Sequence, residues 1–347
     1  MQADTETSRS RSFCLSVLCT STHHRISYIG VGNQVLGYDL RKASSPIVKA
    51  VDDDLTEIID TEEEISQISF ATRGSTSMAV ADDGGKVFVT NPLSPPLPKK
   101  KKKRRRWVLQ HDEDCLAMVT SCVFRPRGGD VLASGGTDCM VRLWDVSKPR
   151  QPIASHHVTR EDTGVNQICN PPMVHSMAWS PSGRLLAAGL GDGTIEVVRF
   201  LPQDKQSLVR VARLRDGHDA TVASVVFPEF VSPSSSNHVA AHDRLLVSAG
   251  TDGAIFLWDL GKRVCGNGAL HPSNDVLAGS NSTLETEMNN MSLANNGDDP
   301  NLLFGIPHQH KPNWMVSTRG ADTVFPSTLF VADTSNDITG YSIPLQS

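Results

Sequence analysis

No run of apolar residues is long enough to cross a bilayer, and the opening stretch MQADTETSRSRS holds no apolar core of the kind a secretory leader needs. Membrane-spanning and exported classes are therefore not expected. The sequons at Asn281-Ser-Thr and Asn290-Met-Ser then read as chance matches. Cysteine is sparse: seven residues, an odd number, with no Cys-x-x-Cys pair. That argues against a disulfide framework and fits reduced thiols inside a cell. Cys14 and Cys19 read as thiols on a strand rather than as metal ligands. An overall basic excess is missing too. The 33 Lys and Arg stand against 38 Asp and Glu, so nothing global draws the chain to nucleic acid.

What the chain does have is repetition. Within residues 215–260, three short apolar runs succeed one another: Val222 to Phe227, Leu245 to Ala249 and Ala254 to Leu260. Gly250-Thr251-Asp252-Gly253 lies between the last two, with glycine supplying the positive φ of a tight hairpin. Gly217-His218 opens the unit and Trp258-Asp259 closes its third run. Residues 111–148, 172–201 and 65–91 repeat the pattern, and weaker copies lie at 13–41 and 312–345. A Gly-His start, an Asp-Gly turn and a Trp-Asp end make up the WD-repeat signature of a propeller blade.

These observations predict an all-β fold, a WD-repeat β-propeller with about six visible blades. Residues 1–11 read as a disordered tail and 12–347 as a single propeller. The last copy runs out after about three strands, near Pro344-Leu345, and residues 3–11 would make a poor outer strand for it. The ring is therefore expected to be either six-bladed with a weak seal or, the favoured reading, of the seven-bladed type with a missing or incomplete first blade.

Long loops are expected at 92–106, 149–171 and 262–311, all on one face, with an acidic connection at 52–64 beside them. The first carries Lys99, Lys100, Lys101, Lys102, Lys103, Arg104, Arg105 and Arg106 behind a proline-rich lead. A block of this kind reads as a nuclear import signal, as a polyanion-binding patch, or as a solvated loop neutralised by its acidic neighbour. No aromatic residues are interleaved with it for base stacking.

His218, Ser224, Asp252 and Trp258 have spacings that could suggest a catalytic triad, but His111, Ser121, Asp138 and Trp144 repeat them in another copy. A set duplicated at the same positions reads as structural hydrogen bonding rather than as an active site. His156-His157 and His308-Gln309-His310 lack nearby thiols, and no metal is assigned to them. Gly189 to Gly193 leads into a strand rather than a helix, so it is a hairpin turn and not a phosphate cradle. Neither an enzyme nor a cofactor is expected.

Several stretches are similar to the WD repeat-containing protein 53 family: Glu62 to Ser69, Val123 to Pro126, Asn170-Pro171 with His175-Ser176, and Asn313-Trp314 with Leu329 to Asp333. That resemblance implies a non-enzymatic interaction scaffold. Its members are proposed substrate receptors of the cullin-four ubiquitin ligase, docked to the damaged-DNA-binding adaptor through a Trp-Asp-x-Arg box. The nearest match is Tyr38-Asp39-Leu40-Arg41, which makes Tyr38, Asp39 and Arg41 the expected adaptor contacts. Asn170, Pro171, His175, Asn313 and Trp314 are the expected partner face. The basic block departs from the family, whose basic stretch lies nearer the 262–311 loop. Expected partners are proteins (the ligase adaptor, an unnamed substrate and an importin), with no nucleic acid and no membrane, and the expected location is nucleus and cytoplasm. The alternative is a nuclear scaffold of a chromatin or RNA-processing complex that uses the basic loop for polyanions.

Overall fold

The computed structural model describes residues 15–21, 26–39, 41, 55–71, 76–92, 106–111, 117–127, 130–160, 170–202, 207–228, 243–261, 299–318, 328–335 and 337–342. They form six antiparallel sheets, each a meander of consecutive strands. The first blade is β1 (Leu15–Ser21), β2 (Ile26–Val31), β3 (Gln34–Asp39) and β4 (Leu55–Asp60). The second is β5 (Ile65–Phe70), β6 (Met78–Asp82), β7 (Lys86–Thr90) and β8 (Arg106–Gln110). The third is β9 (Val119–Phe124), β10 (Val131–Gly136), β11 (Met140–Asp145) and β12 (Ala154–His157). The fourth is β13 (Val174–Trp179), β14 (Leu185–Leu190), β15 (Ile195–Leu201) and β16 (Ser207–Leu214). The fifth is β17 (Val222–Val226), β18 (Leu245–Gly250), β19 (Ala254–Asp259) and β20 (Leu302–Pro307). The sixth holds three strands, β21 (Pro312–Thr318), β22 (Thr328–Asp333) and β23 (Ile338–Ser342).

The first strand of each blade is the inner one, and each packs on the next around the axis, from β1 to β5, β9, β13, β17 and β21. No comparable packing joins β21 back to β1 among the described residues.

The middle strands explain why the sheets stack. β6, β10, β14 and β18 are buried along nearly their whole length, so they read as continuous apolar or small-residue runs rather than alternating ones. Each of the five junctions has its own core cluster. Between the fourth and fifth blades Ile195, Val197 and Leu214 meet Val225, Leu246 and Trp258, each worth about 1.5–3 kcal/mol when fully buried. The sheets come closest near the axis, where only small residues fit. A Cβ added at Gly135 would lie 2.5 Å from Val174 Cγ1, and one at Gly189 2.7 Å from Val222 Cγ1.

Three expectations about loops are corrected. Residues 149–171 contain the outer strand β12, residues 262–311 contain β20, and β8 begins at Arg106. The acidic stretch 52–64 contains β4. The long connections also do not gather on one face. Inner strands all begin at one end of the ring, here called the upper end. The connections from third to outer strand therefore lie at the lower end, and those from outer to next inner strand at the upper end. The basic block, outside the described residues except Arg106, joins β7 to β8, so both its ends are at the lower end. Glu62, Glu63 and Glu64, between β4 and β5, are exposed at the upper end. The acidic connection and the ends of the basic one therefore attach at opposite ends of the ring, and Glu62 is paired with Lys86 at 2.6 Å.

Gly189→Val is expected to force the fourth and fifth blades apart and cost about 1–3 kcal/mol, as overpacking a tight core does. Denaturant unfolding measures it. Gly32→Ala, where nothing lies within 4 Å, bears only the strain of its positive φ and serves as comparison.

Candidate functional site

Five of the six connections between middle and third strands carry an acidic residue: Asp82 and Asp333 as the last residue of the middle strand, and Asp138, Asp192 and Asp252 within the turn. In the fifth blade the full polar chain is present. His218, which comes just after outer strand β16, reaches forward into the next sheet, its Nδ1 lying 3.0 Å from Asp252 Oδ2. Its Nε2 lies 2.8 Å from Ser248 Oγ, which also accepts Trp258 Nε1–H at 2.8 Å. The chain thus ties the end of one blade to the middle and third strands of the next. In the third blade His111 pairs with Asp138 at 3.0 Å, but Arg142 also donates to Asp138. There Trp144 donates to Ser134 at 2.7 Å, while His111 Nε2 finds no partner.

Two assigned residues belong elsewhere. Ser121 and Ser224 lie outside these chains, and the hydroxyls that take part are Ser134 and Ser248 on the middle strands. Ser121 Oγ instead accepts the amide of Met177 in the next blade at 3.1 Å, and Ser224 Oγ that of Met315 at 3.1 Å. Gln67 does the same for Cys122 at 2.6 Å and Ser176 for Val225 at 3.2 Å. The physical reason is a β-bulge near the start of every inner strand, which reverses the facing of the strand's later residues.

Three further ties were not read from the sequence. His308 bridges the fifth and sixth blades, with Asp333 at 2.8 Å and the Tyr341 hydroxyl at 2.7 Å. His156, on β12, meets Glu196 of the fourth blade at 2.8 Å. Glu196 and Asp192 both accept from Arg213, at 2.8 and 2.7 Å. The available signal was a lone glutamate inside an apolar strand, Ile195-Glu196-Val197. Of the four histidines considered as metal candidates, His156 and His308 are thus engaged as scaffold. Asp82 has no imidazole opposite it; burial pushes its carboxyl above the ordinary range and one oxygen lacks a partner.

The bulges also define a rim around the upper mouth of the axis. One backbone bond recurs beside it in five blades: Asp83 to Glu64, Thr137 to Met118, Gly191 to Met173, Thr251 to Thr221 and Thr334 to Lys311, each amide donating to the carbonyl. The bulged residues include Ser66, Thr120, His175, Ala223 and Asn313. Ser66 and Thr120 donate to carbonyls of the next inner strand, at Val119 and Val174. His175 and Asn313 are exposed at this rim, with Asn170 and Pro171 exposed close to His175. The walls around the His175 ring push its imidazole below the ordinary value, which keeps it neutral at pH 7. Trp314 is separate. It lies on the outer face of the sixth blade, 49% exposed, neither in the core nor on the rim.

At the lower end Asp39 closes β3. Its carboxylate takes a forked pair from Arg41, Nε to Oδ1 at 2.8 Å and Nη2 to Oδ2 at 2.6 Å, and the Arg41 side chain is 62% exposed. Asp259 holds Arg244 in the same way in the fifth blade, at 2.7 and 2.6 Å. Tyr38 is buried at 6% exposure, so of the three expected adaptor contacts it supplies core rather than surface.

Known proteins share this arrangement of repeats. The family described as WD domain, G-beta repeat matches residues 105–145, 157–198 and 209–259. The chain is 23% identical over 331 residues to WD repeat-containing protein 53 homolog of Dictyostelium discoideum, covering 91% of this chain and 76% of that protein. It is 34% identical over 106 residues to WD repeat-containing protein VIP3 of Arabidopsis thaliana, 30% of this chain and 31% of that one. Among solved structures, a chain in the crystal structure of the mitotic checkpoint complex superposes with a TM-score of 0.59 at 16% identity. The match covers 96% of this chain and 76% of that one, a likeness of fold.

His218→Ala is expected to cost about 1–3 kcal/mol, since it takes a hydrogen-bond partner from the buried Ser248 hydroxyl and the imidazole from Asp252; a thermal melt measures it. A second expectation concerns acid. Burial pushes the Asp138 carboxyl up, but the bonds and charge of His111 and Arg142 outweigh burial and hold it at about 2. A depressed carboxylate stabilises the fold above its unfolded value and loses that contribution as pH falls toward 2. Asp138→Asn should therefore flatten the fall in stability between about pH 4 and pH 2, measured by denaturant titration at each pH.

Proposed function

This chain is a WD-repeat β-propeller, and we propose that it works as a non-enzymatic protein scaffold, a substrate receptor of the cullin-four ubiquitin ligase. In this reading the lower end docks the damaged-DNA-binding adaptor through Asp39 and Arg41, and the upper rim holds the substrate. The observation that carries the reading is the Asp39–Arg41 fork. It pre-positions a guanidinium at the end of a third strand, with much of it open to a partner's carboxylates or carbonyls. The resemblance to the protein 53 family supports the choice of adaptor. The buried imidazoles and carboxylates are engaged in holding sheets together, which favours recognition over reaction.

For the upper rim, His175, Asn313, Asn170 and Pro171 supply neutral polar and stacking contacts. Glu62, Glu63, Glu64 and the nearby Asp83 favour a substrate of positive charge. The basic block serves nuclear import, so the protein is shared between nucleus and cytoplasm, with an importin among its partners. We also read the ring as the seven-bladed type, with one place unfilled by the described residues. The support is that β1 and β21 do not pack on each other.

A second reading, a nuclear scaffold that uses the basic block for polyanions, is favoured by one observation. The block's ends stand at the same end of the ring as Arg41, away from the exposed Glu62 to Glu64.

Arg41→Ala should weaken co-purification with the adaptor about tenfold or more, the effect of losing a charge-assisted bond from the guanidinium to the adaptor of about 1.5–3 kcal/mol. Arg41→Glu should weaken it further. Equal recovery of both variants would overturn the docking assignment, and steep loss of partner with rising salt would favour the polyanion reading.

A further inference from the structure

Several arginines drawn into this ring are answered by carboxylates. Asp138 answers Arg142, Asp192 and Glu196 answer Arg213, and Asp259 answers Arg244. Arg125 has no such partner among the described residues. It follows inner strand β9, at the lower end of the junction between the third and fourth blades. Its Nε donates to the Gly183 carbonyl at 2.7 Å, and its guanidinium carbon lies 5.0 Å from the centre of the Phe200 ring. The side chain is half-buried, and burial with no opposing charge pushes the guanidinium below its ordinary range. A cation held at one nitrogen and against a ring face, its Nη groups without a protein acceptor among the described residues, is pre-organised to fork onto an anion.

The turns that meet here add positive charge. Gly183 has a φ of +70°, and a Cβ on it would lie 2.6 Å from the Pro126 carbonyl oxygen and 3.2 Å from Arg125 Nε. Only glycine allows that approach. It sets Arg184, which follows Gly183, close to Arg127, which follows Pro126, and both are exposed. Arg127 has a φ of 59°, a left-handed conformation that costs a residue with a side chain some strain. On the other flank the Val146 amide donates to the Asp130 carbonyl at 2.8 Å, which brings the turn with exposed Lys148 and Arg150 alongside. The nearby acids leave the arginines unanswered. Asp243 accepts from the amide and hydroxyl of Ser182, and Asp145 from those of Ser147.

We propose that this lower corner of the junction binds a phosphate monoester, carried as a phosphoserine or phosphothreonine of a partner protein. Arg125 supplies the fork, and Arg127 and Arg184 supply the flanking charges. A phosphate is compact, nearly doubly charged and has three acceptor oxygens, so one fork and two single contacts can satisfy it. An extended polyanion suits the corner less well, because Asp130, Asp145 and Asp243 interrupt the positive surface around it. The site is at the same end of the ring as Arg41 but on other blades, and the inference stands without the adaptor reading.

The test measures, by fluorescence anisotropy, the purified full chain binding a degenerate peptide library with phosphoserine or phosphothreonine at its centre. The same library without phosphate is the comparison. The expected result is at least about tenfold tighter binding of the phosphorylated library. Arg125→Lys keeps the charge but cannot fork, and should weaken that binding about tenfold. Arg184→Ala should weaken it about threefold or more with the melting temperature unchanged, so it reports on the site even where Arg125→Lys loosens the junction. Lys311→Ala, an exposed change of the same charge at the upper end, should leave binding as it is. Equal binding of the two libraries, or full phosphopeptide binding by both arginine variants, would overturn the site. Tighter binding to single-stranded RNA, or to vesicles containing a phosphatidylinositol phosphate, lost in the same variants, would overturn it as a phosphoprotein site.

Discussion

An acidic side chain stands at five of the six hairpin turns, and in three blades its partner is an imidazole supplied by the neighbouring sheet. Asp252 meets His218, Asp138 meets His111 and Asp333 meets His308. Glu196 meets His156 in the blade where Arg213 has taken over Asp192. Each imidazole lies on or just after an outer strand, so the tie crosses a junction. Flat apolar faces could slide over one another, but a directional bond across each junction fixes their relative height. That fixed height lets the bulges of successive inner strands line up as a rim.

The turns and strand ends of this architecture were legible because they are local. Asp252-Gly253 and Trp258-Asp259 lie close together in the chain, and their chemistry demands particular residues. The outer strands were harder to see. Ala154–His157 is half exposed along its length, and Leu302–Pro307 stands next to a long stretch of Asn, Ser and Gly, so neither shows the buried run of a middle strand. Missing them misplaced the loops, because one unrecognised strand moves a connection to the opposite end of the ring. Ser121 and Ser224 went astray for a related reason. An inserted residue at Thr120 or Ala223 changes the parity of every later position on its strand, and a sequence read by strict alternation assigns those hydroxyls to the wrong side.

Of the candidate surfaces, Asp39 and Arg41 stand together, held by a forked bond. His175 and Asn313 are brought to a common rim although they are far apart in the chain. Tyr38 and Trp314 are drawn away, one into the core and one onto the last blade's outer face. The acidic connection 61–64 and the ends of the basic one attach to opposite ends of the second blade.

The sequence unit is out of step with the sheet. Residues 105–145 begin on β8 of one blade and finish on β11 of the next. As the ribosome delivers the chain, the second, fourth and fifth sheets are each trailed by an imidazole, His111, His218 and His308, whose carboxylate has not yet been synthesised. At those points the growing end carries an unanswered hook for the hairpin that arrives next. Construction thus runs in one direction, like courses of brick each left toothed for the next.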